Sequence, residues 1–213
     1  MNNLYRLTCM MALAAALSGC ALANVAGGPA PKMFTLTAHN VAATSGDVSA
    51  AGKADLLVDG YFASAAIDTG RIAYLPSPNE LKYIAGARWA DLAPVMIQTL
   101  TVETLEKSGR FASVAARGSE INGDYMLKGD IRQFAAEKNG DATQVHVDLF
   151  MRLVSRNDNK VVATKDFNVL LPVSGSGIEP MVAAFDAALA QALSDLTVWT
   201  AGELSGAREL AAK

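Results

Sequence analysis

The chain is poor in the residues that most catalytic and metal sites require. Its 213 residues include two cysteines and two histidines, and charged residues make up 18% of the total. Both cysteines, Cys9 and Cys20, lie near the N-terminus, so the rest of the chain has no thiol for a disulfide or a thiolate metal site. The net charge is −3 with both signs interspersed, which argues against a nucleic-acid-binding surface.

The N-terminal residues have the pattern of an export signal. A short polar segment containing Arg6 precedes an apolar run from Leu7 to Leu17. This run is shorter than the roughly 20 apolar residues that span a bilayer, but it suits the core of a signal peptide. It ends in Leu17-Ser18-Gly19-Cys20, which resembles a lipobox. We therefore predict a signal peptide over residues 1–19 and acylation of Cys20, with Leu22-Ala23-Asn24 as a looser alternative cleavage site.

Residues 20–32 contain small residues, glycine and proline without a hydrophobic pattern, which predicts a flexible tether after the acylated cysteine. Ala21 follows Cys20 where the enterobacterial sorting rule has aspartate for retention in the inner membrane. We therefore expect a lipid anchor, with palmitate among its acyl chains, on the periplasmic face of the outer membrane. The predicted folded domain covers residues 33–200, and a loose C-terminal tail covers residues 201–213.

Hydrophobic patterning predicts several strands and two long helices. Asp91 is the predicted cap of a helix that ends near Ser108, and a second helix runs from about Pro180 to Trp199. Alternation is clearest from Val145 to Leu153, after an Asn139-Gly140 turn. The other predicted strands are Met33–Ala38, Asp55–Phe62, Ile72–Leu75, Leu81–Ile84, Asp124–Phe134 and Val161–Leu171, with a polar loop at 39–53. These elements predict an α+β fold in which two long helices pack on one face of a mainly antiparallel sheet.

Few residues suggest chemistry. His146 and Asp148 share the polar face of a predicted strand, where such a pair can hold a metal or act as a base with its orienting carboxylate. Solvent-facing strand positions explain this pair better, because no third ligand can be named. Gly175-Ser176-Gly177 precedes a helix and can bind an anion, although a linker of small residues needs no ligand. The sequence contains no nucleotide-binding or HExxH motif, so we predict no catalytic residue, no cofactor and no metal.

A set of short motifs resembles the ABC-type transport auxiliary lipoprotein family, the PqiC-like lipoproteins. The motifs are Arg71-Ile72-Ala73-Tyr74, then Leu81-Lys82-Tyr83, then Arg88-Trp89-Ala90 at the start of a helix. Later stretches also fit the family, namely Tyr125–Ile131 followed by Phe134, and Ala183–Ala188 in the last helix. Each motif is short, but their order behind a lipobox makes the resemblance specific.

The resemblance implies a role beside an MCE-type system, in which phospholipid moves between the inner and outer membranes. The implied partners are an MCE-domain periplasmic protein of an ABC-type lipid transporter and the outer membrane, reached through Cys20. A homo-oligomer is compatible with this role. The candidate partner surface comprises five residues that we expect to lie close together: Arg71, Tyr74, Tyr83, Arg88 and Trp89.

Two other functions stay open at this point. One is a scaffold for outer-membrane assembly, which would associate with a β-barrel protein. The other is a lipid-carrying module, which would need an apolar cavity of its own. For the aromatic members of the candidate surface, packing of the hairpin onto the first helix is the alternative to contact with a partner. Trp199 is expected to pack at its helix edge.

Overall fold

The computed structural model describes residues 30–38, 54–119 and 122–211, with side chains to residue 207. The predicted signal peptide, Cys20, most of the tether and the predicted 39–53 loop lie outside these residues. The chain divides into two compact units, Met1–Lys32 and Met33–Lys213. Everything described below belongs to the second unit, apart from the first residue of the first strand.

The described residues form nine strands and two helices. In chain order they are β1 (Lys32–Phe34), β2 (Asp55–Val58), β3 (Phe62–Ala63), β4 (Arg71–Ser77), β5 (Glu80–Trp89), α1 (Ala93–Lys107), β6 (Ser113–Ala116), β7 (Tyr125–Asn139), β8 (Ala142–Ser155), β9 (Val161–Pro172) and α2 (Ile178–Ala211). The second half therefore has the predicted order of three strands followed by a helix.

The long strand β7 organises the sheet. Along one edge it pairs antiparallel with β8, from Tyr125 opposite Ser155 to Asn139 opposite Ala142. Along its other edge β2, β3 and β4 follow one another, each parallel to it. Beyond these, β9 pairs antiparallel with β8, β6 pairs parallel with β2, β5 pairs antiparallel with β4, and β1 lies beside β5.

The sheet is mixed, which corrects the prediction of a mainly antiparallel sheet. The hairpins β4–β5, β7–β8 and β8–β9 are antiparallel, whereas β2, β3 and β4 all run parallel to β7. Alternation in the sequence reveals which side chains of a strand share a face. It does not reveal whether a strand distant in sequence pairs with it in the parallel or the antiparallel direction. Parallel strands are joined by long connections, so the turn motifs that predict a hairpin do not predict parallel pairing.

The core follows from the alternation along the sheet. In β8 every second residue from Val145 to Leu153 has an exposed fraction of 0%, whereas the intervening residues are half-buried. Buried side chains of α1 and α2 belong to the same hydrophobic cluster as those of β2, β7, β8 and β9. Helix α2 contacts β8 and β9, and α1 contacts β2, β6 and α2. That both helices lie on one face stays a prediction.

Helix α1 begins one residue later than the sequence predicts. Its N-cap is Leu92, whose backbone is extended at φ −62° and ψ 136°, and no side chain caps the helix. The carboxylate of Asp91 instead accepts a hydrogen bond of 2.7 Å from the Leu92 N–H. Lys107 occupies the last turn, and Gly109 follows with a φ of +62° that glycine adopts without strain.

Helix α2 continues to Ala211, where the sequence predicts a loose tail from residue 201. The apolar stripe extends past Trp199, because Ala201 and Leu204 are buried in the core. In the described part of the chain, α2 has a segment, Ile178–Ala207, that is long and apolar enough to cross a membrane by length and composition. A core helix passes the same test, and Phe185, Leu189 and Leu196 of α2 are buried in the domain core.

Candidate partner-binding surface on the β4–β5 hairpin

The β4–β5 hairpin carries all five residues of the candidate surface. In its antiparallel register Arg71 lies opposite Arg88, Ala73 opposite Tyr83, and Tyr74 opposite Lys82. The register shifts between the first two of these pairs, where β5 contains Gly86 with a φ of +70°. This irregularity adds residues to β5 and places Tyr83 and Arg88 on the same face, away from the core.

Arg71 and Tyr83 form a stacked pair on this outer face. The guanidinium carbon of Arg71 lies 3.6 Å from the centroid of the Tyr83 ring, within the range of a cation–π contact. The Tyr83 hydroxyl donates a 3.2 Å hydrogen bond to the Ala66 carbonyl, which fixes the ring. The Arg71 side chain is exposed, so the stack holds a positive charge at the surface in a defined position.

Arg88 brings a second positive charge to the same place. Its side chain is exposed, and Nη2 lies 3.5 Å from the point where a Cβ on Gly70 would stand. Among the residues that the structure describes, neither Arg71 nor Arg88 forms an ion pair with a carboxylate. Like charges directly opposite each other in a strand pair are destabilising, and no carboxylate among the described residues pairs with either arginine.

A small depression lies beside Tyr83. It has a volume of about 150 Å³, below the range of about 300–1,000 Å³ typical of small-molecule sites. It meets the stacked pair at Ala66 and Ala73, which contact or oppose Tyr83. Its lining residues are Ser64, Ala66, Ile67, Ala73, Leu75, Leu81, Arg132, Gln133 and Ala135. This volume suits an apolar side chain.

Trp89 and Tyr74 point the other way, towards the core. Trp89 is 2% exposed and packs edge-to-face on Phe185 of α2, with ring centroids 5.2 Å apart, and against Phe134 at 5.7 Å. Tyr74 is half-buried at the margin of the same core. The structure thus brings Arg71, Tyr83 and Arg88 together on one exposed face and places Trp89 among packing residues.

The His146–Asp148 pair lies on the outer face of β8 and is not part of a metal-binding cluster of the described residues. His146 Nδ1 lies 3.4 Å from a Glu137 carboxylate oxygen, while His146 Nε2 and one oxygen of Asp148 have no hydrogen-bond partner. Within residues 30–38, 54–119 and 122–211, no group of three or more potential ligands can hold a metal ion.

Nearby, Arg132 and Arg152 flank the Phe150 ring. Arg132 pairs with Asp166, and Arg152 pairs with Asp130. The Asp130 hydrogen bond raises the pKa of Arg152.

Two other features of the sequence have simple packing roles. Trp199 packs edge-to-face on Phe167 of β9, with centroids 5.7 Å apart, which is the expected position at a helix edge. Gly175 and Gly177 have φ values of +122° and +101°, so they shape the turn that leads into α2.

The grooves of the described residues are modest and partly polar. One, of about 470 Å³, lies between residues 35–38 and α1. Asp91, Glu103 and Lys107 are among its lining residues, together with three threonines. An acyl chain would leave these charged groups poorly solvated, so the groove does not favour a lipid-carrying role.

The described residues form an α+β domain with two exposed arginines on its β4–β5 hairpin. Comparison with known proteins gives the family. Residues 34–196 match the model of the ABC-type transport auxiliary lipoprotein component, and the chain belongs to this family. The resemblance seen in the sequence is therefore confirmed. The family is a transport auxiliary component, which is not an enzyme class, and its members are lipoproteins of the cell envelope.

Relatives agree with this assignment. The chain is similar to protein XCC0632 from Xanthomonas campestris, of the DUF330 family, with 29% identity and a TM-score of 0.76, covering 84% of this chain and 99% of that one. Another solved structure, of an uncharacterized protein, has a TM-score of 0.60 at 14% identity and covers 81% of this chain and 99% of that one, so it supports the fold alone. The uncharacterized protein bll6063 of Bradyrhizobium diazoefficiens is 29% identical over 180 residues, 84% of this chain. The chain spans about half the length of that relative, 48%.

Proposed function

We propose that this lipoprotein docks the periplasmic part of an MCE-type ABC lipid transporter to the outer membrane. In this role Cys20 carries the lipid anchor on the periplasmic face, and the folded domain binds an MCE-domain protein. The transporter moves phospholipid between the two membranes, and the domain holds its outer end in place without carrying lipid itself. The auxiliary-lipoprotein family supports this proposal, as does the lipobox at Cys20.

The observation that carries the proposal is the exposed Arg71–Tyr83–Arg88 face. Arginine and aromatic side chains dominate the energetics of protein interfaces. Here the Arg71 guanidinium lies 3.6 Å from the centre of the Tyr83 ring, and neither Arg71 nor Arg88 has a carboxylate partner among the described residues. Because the core is built without Arg71 and Arg88, these two exposed side chains can bind a partner without a loss of core packing.

A crosslinking pull-down of the native, acylated protein from outer-membrane fractions tests the proposal. We expect recovery of an MCE-domain protein. Recovery of a β-barrel protein without an MCE partner would contradict the proposal and favour the assembly scaffold. A phospholipid that stays bound to the delipidated protein in native mass spectrometry would favour the lipid carrier.

A further inference from the structure

Two arginines, Arg71 and Arg88, lie opposite each other on the hairpin, and neither pairs with a carboxylate of the described residues. Arg71 and Arg88 are directly opposite in the β4–β5 register, and both side chains are exposed. Such a pair costs stability in an isolated sheet. Two other cations, Lys82 and Arg132, each have a carboxylate partner, since Lys82 binds Glu80 at 2.7 Å and Arg132 binds Asp166. Arg71 and Arg88, in contrast, form no ion pair with any carboxylate of the described residues.

Resting on the proposed docking function, we propose that Arg71 and Arg88 bind a carboxylate of an acidic segment of the docked protein, while an apolar side chain of that segment fills the adjoining depression. Arginine presents a planar fork of donors that matches a carboxylate with two parallel hydrogen bonds. Tyr83 holds the Arg71 guanidinium by stacking and so reduces the entropy that binding would otherwise remove.

The surroundings favour a protein carboxylate over the phosphate of a phospholipid. A lipid bound by its headgroup needs space for acyl chains beside the charge. The depression next to Tyr83 holds only about 150 Å³, less than the roughly 300 Å³ at which small-molecule pockets begin. Its apolar walls at Leu75 and Leu81 suit one apolar side chain of a peptide instead.

Site-specific photo-crosslinking in the full acylated protein tests this inference. The crosslinking residue replaces Ser64, which is exposed and lines the depression. We expect crosslinks to a peptide that contains Asp or Glu within a few residues of the crosslinked position. The double charge reversal Arg71→Glu with Arg88→Glu should reduce the yield about tenfold, the equivalent of 1.4 kcal/mol. Replacement of the partner's acidic residue by Lys should restore it.

A matched control is Lys160→Glu, which reverses one charge on the exposed β8–β9 turn where Lys160 pairs with Asp158 at 3.1 Å. The control should leave the yield unchanged. Crosslinks to phospholipid, or to a peptide without acidic residues, would overturn the inference. A yield that is insensitive to the double reversal would overturn it as well.

The outcomes separate this inference from the docking function. An MCE-domain protein that is recovered in the pull-down but not crosslinked from Ser64 refutes the arginine site and leaves docking intact. If Ser64 crosslinks to an acidic peptide of a different protein, the charge exchange restores the yield, and the pull-down recovers no MCE-domain protein, the arginine site is supported and docking to an MCE protein is refuted.

Discussion

Arg88 and Trp89 are adjacent in sequence, and the fold gives them opposite roles. Trp89 is 2% exposed between Phe134 and Phe185, whereas Arg88 is exposed on the outer face. We expect Trp89→Ala to lower the free energy of unfolding by about 3–5 kcal/mol because it empties the centre of the core. Arg88→Ala should change it by less than about 0.5 kcal/mol.

Urea denaturation followed by circular dichroism measures both changes, and partner binding is measured in parallel. Arg88→Ala should weaken partner binding at unchanged stability. A Trp89→Ala variant that loses the partner while keeping its unfolding midpoint would contradict the assignment of Trp89 to the core.

Tyr61 is a buried tyrosine whose titration should make the stability of the protein depend on pH in the alkaline range. Its hydroxyl lies 2.9 Å from Thr101 Oγ1, which itself donates to the Ile97 carbonyl, so Tyr61 is the donor. Burial raises the pKa of the Tyr61 phenol. As the pH rises above about 10, the unfolded chain releases this proton while the folded protein retains it, so stability falls.

We expect Tyr61→Phe to cost about 1 kcal/mol near neutral pH, where the hydrogen bond is lost. The variant should then lose stability less steeply than the parent protein above about pH 10. Denaturant midpoints measured from pH 8 to 11 test this. Parallel curves for the two proteins would show that Tyr61 does not titrate as its burial requires.

Gly129 is required by close packing. A Cβ at this position would stand 1.9 Å from the Tyr61 ring and 2.9 Å from the Met151 sulfur. We expect Gly129→Ala to destabilise the protein by about 1–3 kcal/mol through overpacking. Gly202, in the middle of α2 with nothing within 4 Å of its Cβ position, is the matched control. Gly202→Ala should stabilise by about 0.8–1 kcal/mol. Thermal unfolding compares the two, and equal shifts would contradict the packing argument.

The sequence locates the candidate residues but not the faces on which they lie. Strict alternation would put Tyr83 and Arg88 on opposite faces, since they are five positions apart in the sequence. The irregularity around Gly86 reverses this relation and brings them to one face. A glycine within a strand pattern is compatible with a bulge, yet nothing in the sequence specifies how many residues the bulge adds.

At the scale of the elements, local signals were the reliable ones. The Asn139-Gly140 turn is observed between β7 and β8, with Gly140 at a φ of +59°. The alternation in β8 correctly identifies its core face. By contrast, β6 was not predicted, because Ser113–Ala116 is short and is specified by its parallel pairing with β2. The parallel registers of β2, β3 and β4 on β7 depend on tertiary packing in the same way.

The end of α2 gives a prediction about an element. Leu204 is 4% exposed and belongs to the core cluster, although it lies in the predicted tail. We expect Leu204→Ala to cost about 2–5 kcal/mol. Ser205→Ala is the control, because Ser205 is exposed and its hydroxyl donates to the Ala201 carbonyl of its own helix. Melting temperatures measure both, and a neutral Leu204→Ala would mean that the end of α2 behaves as the loose tail that its sequence predicts.

At the scale of the whole molecule, anchoring and recognition are separate tasks. The predicted anchor is Cys20, outside the described residues, whereas the candidate surface is on β4 and β5. An acylated protein is confined to the membrane, which raises its effective concentration near any partner at that membrane. Each buried methylene of the acyl chains contributes about 0.8 kcal/mol to this confinement, so loss of the chains should release the protein.

We therefore expect Cys20→Ala to give a protein that needs no detergent for extraction and whose mass lacks acyl chains. Its melting temperature and its Kd for the purified partner should equal those of the acylated protein, while its recovery with the partner from envelope fractions falls. A weaker Kd in solution would mean that the tether or the lipid contributes to recognition. An unchanged location and mass would instead favour ordinary cleavage near Leu22-Ala23-Asn24, and the domain would then have to reach its transporter without a lipid anchor.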